Sequence, residues 1–398
     1  MSRRIELGAL VALAFFTPLY EAPKSIFCAL YLIVWVVNRV RARDWGGRWD
    51  FWDSLIAVWF GSWVAASAFA GLPGGDEWHA LVDLARYGLV MWAVKRSRYD
   101  VREVQWILGA LVVSVIVGLA QAYLKIFGGQ EGGLQLNSVG HVNHTAIYVA
   151  IMLGVCVAWL LARWQGWTAP IRAGALAITL AVFFSLMYTA SRGAVGMGVI
   201  LPLVLAAAWR RRWRAALPAT VLIVVAMVAV GFAARAEVFL KNEALVEARN
   251  ILSNRISIWH AAVHAWQRYP IAGVGADNFK AITLERLKEW RTQAGEPFEP
   301  GRYAFFRHGH SIYFNTLAER GLLGALPFAA FLVVLLVSLV RARPGAADDD
   351  VTWMVWGSAA SAWIVTMGVG LVNTTLHHEH GILAALLLGM WLSRAARR

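Results

Sequence analysis

His310 opens the run His310-Ser311-Ile312-Tyr313-Phe314-Asn315-Thr316-Leu317-Ala318-Glu319-Arg320-Gly321-Leu322, where a polar, titratable segment gives way to a long apolar stretch. An imidazole at such a junction can accept or hold a proton near neutral pH, whereas burying one in hydrocarbon without a partner is costly, so its position implies a water-accessible site. The plainer alternative is a histidine that anchors a helix end at the headgroups. Arg86, Arg192, Arg255 and Arg307 fall in segments that could join it. Guanidinium groups suit phosphate because their planar donors bind it bidentately and keep their charge when buried. Each has a blander role open to it: Arg86 can pair with Asp83 one turn earlier, and Arg192 and Arg255 can serve as solvated or headgroup-contacting surface. The cluster His377-His378-Glu379-His380 invites a metal, but it offers a single matched pair and no His-Glu-x-x-His spacing, so no metal site is expected. His378, and likewise His141 in His141-Val142-Asn143-His144, remain candidate ligand contacts or simple helix-start residues.

The elements that must position these residues are membrane helices. With 59% hydrophobic and 15% charged residues, the chain is predicted to be an all-α polytopic membrane protein. Apolar stretches lie near 5–21, 24–40, 51–71, 78–94, 104–127, 143–163, 170–190, 194–209, 216–234, 312–340, 351–371 and 381–394, about twelve spans in all. The net charge of +13 alternates with the loops instead of forming a nucleic-acid face. Arg39, Arg41, Arg43 and Arg48, then Lys95, Arg96, Arg98 and Arg102, then Arg163 and Arg172 follow alternate spans. So do Arg210, Arg211, Arg212 and Arg214, Arg341 and Arg343, and Arg394, Arg397 and Arg398. By the positive-inside rule these loops face the cytoplasm with both termini, while the glycine-rich acidic loops 71–77 and 128–133 lie outside. The first span lacks a convincing small-residue cleavage site and reads as a retained helix. Cys28 and Cys156 sit in predicted spans and give no disulfide framework.

The organisation expected is helices over 1–235, a large external and mostly helical loop over 236–310, and helices again over 311–398. Loops of that length inside a bundle are usually functional. Helical periodicity predicts one loop helix near 244–268, ending at Tyr269-Pro270, and a second near 277–293, with Pro270-Ile271-Ala272-Gly273-Val274-Gly275 as a turn between them. Walker, dinucleotide-binding and Gly-x-Ser-x-Gly signatures are absent, which removes support for nucleotide hydrolysis and serine-hydrolase chemistry. An external site without ATP must use an activated donor that has already crossed the membrane.

His310-Ser311, nine residues, then Gly321-Leu322 resembles the His motif of the O-antigen ligase and polymerase superfamily of bacterial inner-membrane glycosyltransferases. Ser191-Arg192-Gly193, Asn254-Arg255 shortly before Trp259, and Pro270 to Gly275 add to the resemblance, whose sharp motifs lie between about residues 189 and 324. It implies a GT-C-like membrane fold and, on span count and loop size, looks most like an O-antigen ligase. O-antigen polymerases share the donor chemistry, and protein O-oligosaccharyltransferases share the His motif but are usually longer at the C-terminus, whereas this sequence stops just after the last expected span. The implied reaction moves a polysaccharide from undecaprenyl pyrophosphate to a hydroxyl of lipid A-core at the periplasmic face, with inversion and without metal, ATP or other cofactor. On that reading the donor pyrophosphate is held by Arg86, Arg192 and Arg255, and His310 deprotonates or orients the acceptor. Glu319, nine residues beyond His310, lies roughly 13 Å away along a straight helix, too far to orient the imidazole directly. A lipid or polysaccharide transporter is the competing class, though no internal repeat supports it.

Overall fold

The computed structural model describes residues 3–72, 76–130, 133–209, 217–234, 252 and 254–395. Parts of both acidic loops, Arg210, Arg211, Arg212, Arg214, Arg397, Arg398 and residues 236–251 and 253 of the expected loop lie outside the described residues. Helices are the regular structure of the described residues, with no strand among them. In chain order the α-helices are α1 (Arg3–Phe16), α2 (Glu21–Ala42), α3 (Phe51–Ala68), α4 (Asp76–Ser97), α5 (Val101–Phe127), α6 (Val142–Arg163) and α7 (Ala169–Tyr188). They continue with α8 (Arg192–Ala208), α9 (Leu217–Ala234), α10 (Arg255–Arg268), α11 (Leu284–Gln293), α12 (Ile312–Arg341), α13 (Asp350–Gly370) and α14 (His378–Ala395). A helix runs through most of each apolar stretch. Five, Glu21–Ala42, Val101–Phe127, Val142–Gly166, Ala169–Tyr188 and Ile312–Arg341, are long and apolar enough to cross a membrane. The protein is a multi-pass membrane protein on that ground.

Small residues let the central helices approach closely, the packing mode available where lipid removes the hydrophobic drive between helices. Gly154 of α6 lies against Ser361 of α13, and Gly357 of α13 against Ala158 of α6 and Trp209. Gly389 of α14 lies against the backbone of Met91 in α4. Between α3 and α12 the contact is aromatic: Trp59 stacks on Phe331 with ring centroids 4.8 Å apart, a pair worth about 0.5–1.5 kcal/mol beyond its buried area.

Charges gather at one end of the bundle. Lys95 and Arg96 are buried in ion pairs with Asp53, whose carboxylate also accepts from the Trp92 indole at 2.8 Å. Nearby, Arg39 meets buried Glu6 at 3.1 Å. These cations are therefore paired internally and not simply solvated in loops. The histidines collect at the opposite end, where α6, α12 and α14 begin and α13 finishes.

Residues 254–309 build a second, smaller core from Ile258, Ala261, Ala265, Val274, Phe279, Leu287, Trp290 and Tyr303, which also takes in Ala318 of α12. The first loop helix begins at Arg255, after Asn254 in a left-handed conformation (φ 62°); residues 244–251 of the expected helix are outside the described set. The second is shorter than periodicity predicts, 284–293 instead of 277–293. Thr283 caps it, accepting from Arg286 N at 3.2 Å. Before the cap, Asn278 donates to Leu72 O and Val274 O while Phe279 is buried, so the chain runs through a short 3-10 turn, Phe279–Ala281, against the core.

Candidate functional site

The site is built around a break in α12. Gly321 has φ 55° and ψ −157°, outside helical values and accessible at low cost only to glycine. The break frees backbone groups that the turn at 270–275 then satisfies. Val274 N donates to Ala318 O and Gly275 N to Glu319 O, both at 2.9 Å, while Leu322 N donates to Pro270 O at 2.8 Å and Leu323 N to Ile271 O at 2.9 Å. On its other side the same turn receives Gly71 N at Gly273 O and Leu72 N at Val274 O. Gly273 is needed as well, since a Cβ there would collide with the backbone of residues 318–320. The nine-residue interval is thus the length of helix between His310 and the point where the turn docks.

At the other end of that interval, Ser311 caps α12 in extended conformation and donates from Oγ to Gly370 O at 3.1 Å. Tyr313 OH reaches Met367 O at 3.0 Å, so the first turn of α12 is tied to the end of α13. Gly309 N donates to Asn315 Oδ1 and Asn315 Nδ2 donates to Glu319 Oε2, both at 2.8 Å. Glu319 therefore acts on the peptide before His310 through Asn315, which answers the distance problem raised by its position. His310 itself has φ 44°, a strained left-handed geometry. Its ring packs edge-on against Phe306 and lies 4.1 Å, centroid to centroid, from His308. Burial, with the charges of Arg255 and neighbouring histidines, pushes its pKa down to about 4, so the ring is neutral near pH 7. His308 is lowered for the same reason and lies 3.3 Å from Thr374 Oγ1.

Arg255 and Arg192 are brought near each other, and burial together with the Arg192 charge lowers the Arg255 pKa. Arg255 Nη1 donates to Leu252 O at 3.2 Å, but its buried Nε finds no acceptor among the described residues. Arg192 starts α8 directly after Ser191, whose Oγ donates to Asn143 Oδ1 at 2.9 Å and so ties α8 to the first turn of α6. Arg86 is the exception: it sits 3.6 Å from Asp83, the one-turn pair open to it from spacing.

A cavity of about 450 Å³ adjoins this group, with Arg307, His308, Lys280, Asp277 and Asp83 among its polar lining and Trp59 and Trp63 on an aromatic wall. The Arg320 guanidinium stands 3.2 Å over the Trp63 ring, beside Glu319. His310, Arg192 and Arg255 do not line it; His308 is the side chain between. His378 lines the same cavity, whereas His141 serves as the N-cap of α6, its Nδ1 accepting from Asn143 N.

Sequence spacing missed how the second histidine group is completed. His144 of α6 lies between His377 and His380, its Nδ1 3.2 Å from His380 Nε2 across 236 residues of chain. No local pattern carries that meeting; only the pairing of α6 with α14 produces it. Asn315, Thr374, Asp277 and Lys280 were likewise invisible as site residues, since nothing in their spacing marks them. Residues 176–329, which hold Arg192, Arg255, the docking turn and the whole His310 to Gly321 interval, match the protein family described as O-antigen ligase. A search of curated proteins finds no match for the chain.

Proposed function

We propose that this chain, whose residues 176–329 match the O-antigen ligase family, transfers a glycan from undecaprenyl pyrophosphate to a sugar hydroxyl of lipid A-core at the periplasmic face of the inner membrane. The observation that carries this reading is the His310 imidazole, held by a strained backbone in the field of half-buried Arg255, whose buried Nε finds no acceptor among the described residues. A pyrophosphate bound here would supply the acceptor that the buried Arg255 Nε lacks among the described residues, with the Arg192 charge close by, and would receive the negative charge that develops as it leaves.

In the proposed step the acceptor oxygen attacks the anomeric carbon on the face opposite the pyrophosphate. The new C–O bond forms as the anomeric C–O–P linkage breaks, and the electron pair leaves with undecaprenyl pyrophosphate. The hydroxyl proton passes to His310, and the configuration inverts. A base with a pKa of about 4 is weak in the empty site; the charge of a bound pyrophosphate raises it toward the working pH, so donor binding primes the base. Arg255 acts electrostatically on His310 and Arg192 on Arg255, while His308, packed against His310, lines the cavity, so the donor is assigned to the arginines and the acceptor to the cavity. Arg86 is paired with Asp83 and is given no direct donor contact in this scheme.

The experiment is reconstituted transfer with polyprenyl-pyrophosphate-linked glycan and lipid A-core. His310→Ala is expected to fold and bind donor yet lose transfer by about 10²–10⁴-fold, the range of general acid–base contributions. Full activity of this variant removes His310 from the reaction, and no enlarged product with the unaltered protein sinks the ligase reading.

A further inference from the structure

The fold assembles a second group of histidines that the proposed transfer does not use. His144 from the first turn of α6, His377 just before α14 and His380 in its first turn place ring nitrogens within 4.8 Å of one another. His144 Nδ1 and His380 Nε2 are 3.2 Å apart. Two imidazole nitrogens on one tetrahedral ion, each bound at about 2.0–2.1 Å, stand about 3.3 Å apart, so this pair already has ligating separation. His377 needs only a small ring movement to join them.

The backbone supports the same arrangement. Leu376 (φ 58°) and His378 (φ 51°) are both non-glycine residues in the left-handed region, one on each side of His377. Such conformations cost energy and persist where the surroundings over-determine them, and here they aim His377 back at α6. His380 is buried, while His144 and His377 are half-buried. The intervening Glu379 turns away from the rings to Lys24 and Ser138, which anchors the loop without occupying the nitrogens. The exposed His378 ring lies 4.1 Å from His377 and 5.1 Å from His144, centroid to centroid, on the cavity side.

We propose that His144, His377 and His380 bind one divalent transition-metal ion of the zinc class, with the remaining coordination position toward His378 and the cavity. Three neutral imidazoles select zinc, copper or nickel over magnesium and calcium, which prefer oxygen. The ion clips the start of α6 to the start of α14 and fixes the 371–377 segment that carries Thr374 to His308. It has no part in the bond-making step, and the inference stands or falls independently of the transfer reading. The competing arrangement is a neutral N–H···N hydrogen bond between His144 and His380, which binds no ion.

The test is metal binding by the full chain in detergent, after removal of any affinity tag, read by elemental analysis and by titration with Zn²⁺, Co²⁺ and Mg²⁺. About one Zn²⁺ per chain, a Co²⁺ visible spectrum of four-coordinate form and no Mg²⁺ uptake are expected. His144→Ala and His380→Ala are expected to weaken Zn²⁺ binding by about 100-fold or more, beyond the 10–100-fold that outer-shell changes cost, and His260→Ala, in α10, to leave it unchanged. Negligible Zn²⁺ uptake by the unaltered chain overturns the proposal, as does wild-type uptake by both cluster variants. Because the unaltered chain decides the first outcome alone, misfolding of a variant cannot shelter the idea.

Discussion

Replacing Gly321 by alanine tests the account of the broken helix. The conformation at φ 55°, ψ −157° costs a residue with a side chain about 1–3 kcal/mol. The new Cβ would also strike backbone atoms of the docking turn, including Pro270 O at 2.7 Å. That carbonyl and the one on Ile271 accept from Leu322 N and Leu323 N at 2.8 and 2.9 Å, so relief of the clash lengthens both bonds. At about 0.5–1.5 kcal/mol for each bond, and with the strain included, the destabilisation is about 2–6 kcal/mol. The assay is the thermal unfolding midpoint in detergent together with the transfer rate. Gly174→Ala in α7 serves as the control, because a Cβ there meets nothing within 4 Å and alanine favours the helix by about 0.5–1 kcal/mol. If Gly321→Ala melts with the control and transfers at the wild-type rate, residues 270–275 are not held by the break, and the reasoning about the interval fails.

Arg255→Ala is expected to weaken donor binding by about 10-fold or more, the loss of a charge-assisted hydrogen bond worth about 1.5–3 kcal/mol, with acceptor affinity unchanged; separate calorimetric titrations with a pyrophosphate-bearing polyprenyl lipid and with lipid A-core read the two, and unaltered donor affinity refutes the assignment. Asn315→Ala removes the link between Glu319 and Gly309 N; it should lower kcat with little change in donor Kd, and an effect on donor binding alone would argue against a positioning role. Because burial lowers the His310 pKa to about 4, the base is neutral at pH 7 and is lost only as pH falls toward that value. The acid limb of kcat/KM, which reports the free enzyme, should therefore lie below the ordinary imidazole value of about 6.5. A limb at or above 6.5 would contradict the burial.

What could be read from the sequence follows the range of the forces involved. Hydropathy and loop charge are local, and helices occupy the apolar stretches they mark. The spacing from His310 to Gly321-Leu322 was legible as a motif, but its cause was not, because the turn that docks at Gly321 comes from some fifty residues earlier and pairs through backbone atoms that carry no sequence signal. Glu319 illustrates the same limit: distance along a helix correctly forbade direct contact with His310, yet Asn315 one turn earlier relays its influence. The shortened α11 reflects tertiary override, with Asn278 and Phe279 committed to the loop core in preference to the helical period. The histidine cluster needed two helices far apart in sequence to meet.

The broken helix also works as a ruler. Past Gly321, α12 continues from Leu322 to Arg341, roughly 20 residues or about 30 Å, the thickness of the hydrocarbon layer. With Arg341 at the cytoplasmic boundary, as proposed, the break falls at the opposite boundary, and the docked turn covers backbone groups that hydrocarbon could not satisfy. The segment from Gly321 back to His310 then lifts the imidazole by up to about 16 Å, clear of the thin headgroup layer. In that placement, and on the proposed reading, His310 stands above the fatty chains at the height of a sugar carried on a lipid, which is the height at which two membrane-anchored glycans can meet.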